Sequence, residues 1–134
     1  LTIDRDLEPH GHKAYRTAMP IGSLHEIVVD ASNPIALARF WQALIGGEVI
    51  DESDDWVVLD GDDDGFYIGF QQVAERKSGK NRVHLDVDVD DLDRAIDEAE
   101  QLGARKIGGV IEGEEGPFQV MADPEGNEFC FIAG

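Results

Sequence analysis

The chain has 134 residues, 42% of them hydrophobic, with 29 acidic side chains against 11 basic ones and a formal net charge of −18. That length fits one domain with a real core, and the composition is that of a globular chain. The acidic surface excludes nucleic acid and anionic membranes as expected partners, and no apolar run approaches the roughly 18 residues of a bilayer span.

Residues 1–21 read as an N-terminal arm, flexible or foreign in origin; Met19-Pro20 has the form of a natural start, which would make residues 1–18 the foreign or mobile part. The arm's His10 and His12 are expected to have no role. A first strand is expected in LHEIVVD, residues 24–30. Ser32-Asn33-Pro34 then reads as a helix start, with a capping side chain followed by Pro at the first helical position. Leu37, Trp41 and Leu44 recur at helical spacing, and Gly46-Gly47 ends the helix. Strands are expected at about 48–51, 56–60 and 66–73. Within them, Asp60–Gly65 matches the start of a calcium loop, but position twelve is Gln71 rather than Glu and strands flank it, so it reads as an acidic turn.

A basic link over residues 75–82 leads to a second unit. Val83, Leu85, Val87 and Val89 alternate with His84, Asp86 and Asp88, the pattern of a strand with one apolar face. Asp90 or Asp91 caps a helix whose stripe is Leu92, Ala95, Ile96, Ala99 and Leu102, stopped by Gly103. Strands near 105–111, 117–122 and 128–133 close the unit. Glu112–Gly116 has the composition of a mobile flap. Cys130 is the only cysteine, so no intrachain disulfide forms and a reducing, cytoplasmic setting is expected. With only four lysines, the acid excess also fits adaptation to high salt, where screening relieves self-repulsion.

The two halves repeat one plan. LHEIVVDASNPIALARFWQALIGG and VHLDVDVDDLDRAIDEAEQLGA each run from a His on an apolar strand through a capped helix to a glycine, and three strands follow. The expected fold is α+β. Two βαβββ modules stand in a pseudo-twofold arrangement around a cleft or half-barrel, with the helices outside. The domain spans residues 22–134, with module one at about 22–74, a linker at 75–82 and module two at 83–134. Neither unit buries its apolar face alone, so the two are expected to pack together.

This plan, with FWQALIGG, KNRVHLD and DPEGNEFC, resembles the vicinal-oxygen-chelate superfamily of glyoxalases, bleomycin-resistance proteins and extradiol dioxygenases, and more narrowly the bacterial glyoxalase-like domain proteins. The resemblance implies a divalent metal held by the first and fourth strands of each module. The matching first-strand positions are His25 and His84. The fourth-strand positions fall on Cys130 and near Gly69, so both family carboxylates are missing. A third ligand is open among Cys130, Glu128, Gln71 and Asp86, and with it the metal: zinc, nickel, iron or manganese.

Arg82, His84 and Asp86 share a face and suit an anionic ligand group, while Trp56, Tyr67 and Phe118 offer flat apolar surface. Gln71 completes the expected ligand-binding set. There is no nucleophile elbow and no phosphate-cradling loop. The expected function is small-molecule binding between the two sheets, in a likeness of the bleomycin-resistance proteins, with a degenerate or remodelled metal site. The alternative is a metal-dependent lyase, isomerase or dioxygenase in which Glu128 shuttles a proton. A homodimer is the default assembly.

Overall fold

The computed structural model describes residues 24–61, 67–81, 83–114 and 116–133, together with the backbone of 3–7 and 13–17. Arg82, His10, His12, Met19-Pro20 and most of the acidic turn lie outside the described residues.

Strands β1 (Ile3–Leu7) and β2 (Lys13–Thr17) pair antiparallel within the arm. Module one follows as β3 (Glu26–Ala31), α1 (Pro34–Ile45), β4 (Glu48–Glu52), β5 (Trp56–Asp60) and β6 (Tyr67–Gln72). Module two repeats it as β7 (Leu85–Val89), α2 (Leu92–Gln101), β8 (Arg105–Gly113), β9 (Gly116–Ala122) and β10 (Glu128–Ala133). The sheets have the same order, β3-β6-β5-β4 and β7-β10-β9-β8, and in each the first and last strands of the module pair in parallel. The βαβββ duplication expected from the sequence is therefore the architecture.

Local chemistry sets the helix ends. Asn33 accepts the amide of Ala36, Pro34 follows it, and Gly46 ends α1 with φ of 82°. Asp91 caps α2 in the same way, accepting the amide of Arg94. Each helix covers one face of its sheet. Ile68, Phe70, Val57 and Leu59 are buried beneath α1, while Phe129, Phe131 and Met121 are buried on the corresponding side of module two. Burying each such side chain contributes roughly 1.5–3 kcal/mol.

These residues form one cluster that crosses the module boundary. Trp41 of α1 meets Phe129 of β10 at 5.0 Å between ring centroids, edge to face. Two polar contacts fasten the same boundary. Asp123 accepts the Trp41 indole N–H, and Glu125 accepts the backbone amides of Ser32 and Asn33 ahead of α1. The turn at residues 123–127 thus holds module two against the helix of module one. Among the described residues, no helix is long and apolar enough to cross a membrane.

Candidate functional site

The helix-covered faces are filled, so chemistry belongs to the opposite, open faces. Strand alternation assigns them. On sheet two the open face carries His84 just ahead of β7, Asp86 on β7, Cys130 and Ile132 on β10, and Phe118 on β9. Asp86 stands directly beside Cys130 in the parallel register, and Phe118 beside Ile132. On sheet one it carries Glu26, Tyr67, Gly69, Gln71 and Trp56, with Glu26 beside Tyr67 and Trp56 beside Gln71.

The register corrects one reading of the repeat. Ile27 pairs with Ile68 as Leu85 pairs with Phe129, so Glu26, not His25, is the counterpart of His84, and Gly69 is the counterpart of Cys130. His25 lies one residue earlier, just ahead of the first residue of β3. Its ring meets Tyr67 edge to face at 5.3 Å between centroids, and it joins no three-donor group among the described residues. The sequence did hold the signal for this offset. His25 stands eight positions before the cap Asn33, but His84 stands seven before the cap Asp91. Glu26 is the open-face acid that the alignment of histidines hid.

Module one's fourth-strand slot is closed to a ligand side chain. A Cβ on Gly69 would lie 2.7 Å from Trp56 Cη2 and 3.2 Å from Glu26 Cδ. The indole occupies the space that the slot would need.

Module two gathers its donors. One ligand atom from each of His84, Asp86 and Cys130 lies within 4.8 Å of the others, and His84 Nε2 is 3.2 Å from an Asp86 carboxylate oxygen. His84 and Asp86 side chains are about half exposed, at 53% and 51%, whereas Cys130 is 8% exposed. Burial pushes the Cys130 thiol above its ordinary pKa; Asp86 and Glu128 push it the same way, and Lys80 opposes them. Glu128 is not in the group. Its carboxylate is 3.9 Å from Lys77 Nζ and accepts the Asn81 amide at 3.4 Å.

His84, Asp86, Cys130, Phe118 and Ile132 line a cavity of about 400 Å³ together with Gly113, Glu114 and Gly116. The acidic hairpin tip between β8 and β9 therefore borders the donor group. Of the other expected ligand-binding residues, Trp56, Tyr67 and Gln71 sit on the open face of sheet one, and none lines this cavity. A second cavity of about 380 Å³ is lined by residues of both modules and of the linker, His84, Val28, Lys77 and Glu128 among them.

The model of the glyoxalase-like domain family matches residues 26–132. No curated protein matches the chain. Among solved structures, a glyoxalase/bleomycin resistance protein/dioxygenase family enzyme from Burkholderia phytofirmans is 25% identical, with a TM-score of 0.66 over 82% of this chain and 97% of its own. A bleomycin-binding protein from Streptomyces verticillus, in complex with copper(II)-bleomycin, is 20% identical with a TM-score of 0.59, over 87% and 99%. The fosfomycin resistance protein FosX from Mesorhizobium loti is 16% identical with a TM-score of 0.65, over 87% and 94%. The latter two likenesses establish the fold.

Proposed function

The chain belongs to the glyoxalase-like domain family, and from that premise we propose that it binds a small organic ligand on the open face of its second sheet. The observation that carries this reading is the roughly 400 Å³ cavity in which His84 and Asp86 stand beside Phe118 and Ile132. A cavity of that size suits a small molecule, and a few polar groups set in apolar walls are what orient one. Polar atoms of the ligand face His84 and Asp86, and its flat or apolar part lies on Phe118 and Ile132. The family's metal site is remodelled, because Gly69 brings no donor and Trp56 fills its place. The setting we propose is a cytoplasmic homodimer, in keeping with the free thiol of Cys130.

Calorimetric titration with fosfomycin, catechol and copper(II)-bleomycin tests the reading. Saturable one-to-one binding of at least one compound, weakened tenfold or more in both His84→Ala and Phe118→Ala, is the expected result. Silence with all three, or binding that both variants leave intact, would overturn it.

A second reading is favoured by the spacing of His84, Asp86 and Cys130. In it the protein is a metal-dependent lyase, isomerase or dioxygenase. A bound divalent metal would supply polarisation of a ligand oxygen. Glu128, on the same face of β10 as Cys130, is the acid–base candidate, and Lys77 and Asn81 hold its carboxylate in place. Conversion of catechol or of an α-keto thiol adduct that ceases with a chelator would support this reading; conversion indifferent to the chelator would remove it.

A further inference from the structure

We infer that His84, Asp86 and Cys130 form a divalent-metal site built within module two alone, with the donor chemistry of zinc. The arrangement implied by the family draws donors from both modules and does not fit this chain: Gly69 has no side chain, its space is taken by Trp56, and Glu26 joins no three-donor group among the described residues. The donors that do converge come from two adjacent strands. The parallel pairing of β7 and β10 fixes Asp86 beside Cys130, and His84 stands two residues before Asp86 on the same face.

Spacing agrees with chemistry. His84 Nε2 and the Asp86 oxygen are 3.2 Å apart, close to the roughly 3.3 Å edge of a tetrahedron with metal–ligand bonds of about 2.0–2.1 Å. All three donors fall within 4.8 Å, so small side-chain rotations close the set. The thiolate among these donors selects zinc over magnesium, calcium or manganese, which disfavour soft sulfur ligands. As the sulfur–metal bond forms, the thiol proton passes to solvent. Three protein donors leave a fourth position, and the half-exposed His84 and Asp86 open that position to the cavity. The site lies on the proposed ligand face but rests on donor geometry alone, so it is tested without any organic ligand.

The full chain, reduced and metal-free, is titrated with cobalt(II) as a spectroscopic stand-in for zinc. The expected result is a near-ultraviolet thiolate-to-cobalt charge-transfer absorption that saturates at one equivalent and is displaced by zinc. Because Cys130 is the sole cysteine, that absorption reports this site only. Cys130→Ser abolishes it. His84→Ala and Asp86→Asn, which replace half-exposed side chains and leave folding intact, each weaken cobalt binding at least tenfold. His25→Ala, outside the donor group, leaves it within twofold. The inference is overturned if no charge-transfer absorption develops, if it keeps full affinity in both His84→Ala and Asp86→Asn, or if zinc binds one-to-one with equal affinity in Cys130→Ser. None of these outcomes bears on whether the cavity binds an organic ligand.

Discussion

Trp41 donates its indole N–H to Asp123 at 3.1 Å, joining the helix of module one to the last turn of module two. Asp123 is 2% exposed and also accepts the backbone amides of Glu125 and Asn127 and the Asn127 side-chain amide, each at 2.9 Å. A buried carboxylate with four donors is satisfied, and removing it strands all four. Asp123→Ala is therefore expected to lower unfolding free energy by at least about 3 kcal/mol, and Trp41→Phe by about 1–3 kcal/mol. Urea titration of both single variants and the double variant measures their coupling. Strictly additive effects would show that the indole contact carries no energy across the boundary.

Glu125 makes the second fastening. Its two oxygens accept the amides of Ser32 and Asn33 at 2.6 and 3.0 Å. Glu125→Ala is expected to cost about 1 kcal/mol, the worth of a helix cap. Hydrogen exchange at residues 32 and 33 should accelerate more than exchange within β5; uniform acceleration would count against a local role.

Gly69 is where two side chains have claimed a third one's space. Gly69→Ala forces Trp56 away from a position 2.7 Å from the new Cβ. The expected cost is about 1–3 kcal/mol, as for overpacking of a filled site. A shift of tryptophan emission in Gly69→Ala that vanishes when Trp56→Phe is added would identify the displaced ring. An unshifted spectrum at unchanged stability would refute the close approach.

The thiol gives a pH dependence with a definite sign. Burial, with Asp86 and Glu128 next, raises the Cys130 pKa in the folded state. The folded protein therefore holds this proton more tightly than the unfolded chain. The stabilisation is complete below the unfolded thiol value, roughly pH 8.5, and is lost as pH rises through the folded one. Denaturation midpoints of the metal-free protein should fall through this alkaline range more steeply than those of Cys130→Ser. Parallel pH profiles would show that the thiol is not the group responsible.

Net charge makes a prediction about salt. With 29 acids against 11 bases, the folded surface repels itself. Raising sodium chloride from about 0.1 M to about 1 M shortens the screening length from about 10 Å to about 3 Å. The thermal midpoint is expected to rise by several degrees. A flat or falling midpoint would remove high-salt adaptation as the meaning of the acid excess.

Much of this was legible beforehand because it is local. Asn33-Pro34 and Asp91 mark helix starts by their capping chemistry, and Leu85, Val87 and Val89 show a strand's alternation without any knowledge of partners. The duplicated order followed from such signals, and the family resemblance from FWQALIGG, KNRVHLD and DPEGNEFC standing within that order. The facing of His25 was not so legible, since register depends on which residues pair. Ile27 beside Ile68 and Leu85 beside Phe129 make Glu26 the partner position of His84. An alignment of like residues slid past that by one.

By itself the sequence determined the elements and their doubling, because propensity, capping and periodicity act within a few residues. Tertiary structure decided which donors meet. It gathered His84, Asp86 and Cys130 on one sheet, left His25 against Tyr67, and put an indole where a ligand side chain would stand. The first two outcomes depend on strand pairing between segments more than 40 residues apart, the third on the pairing of β5 with β6, and distance in space along a sheet is set by hydrogen-bond register rather than by order along the chain.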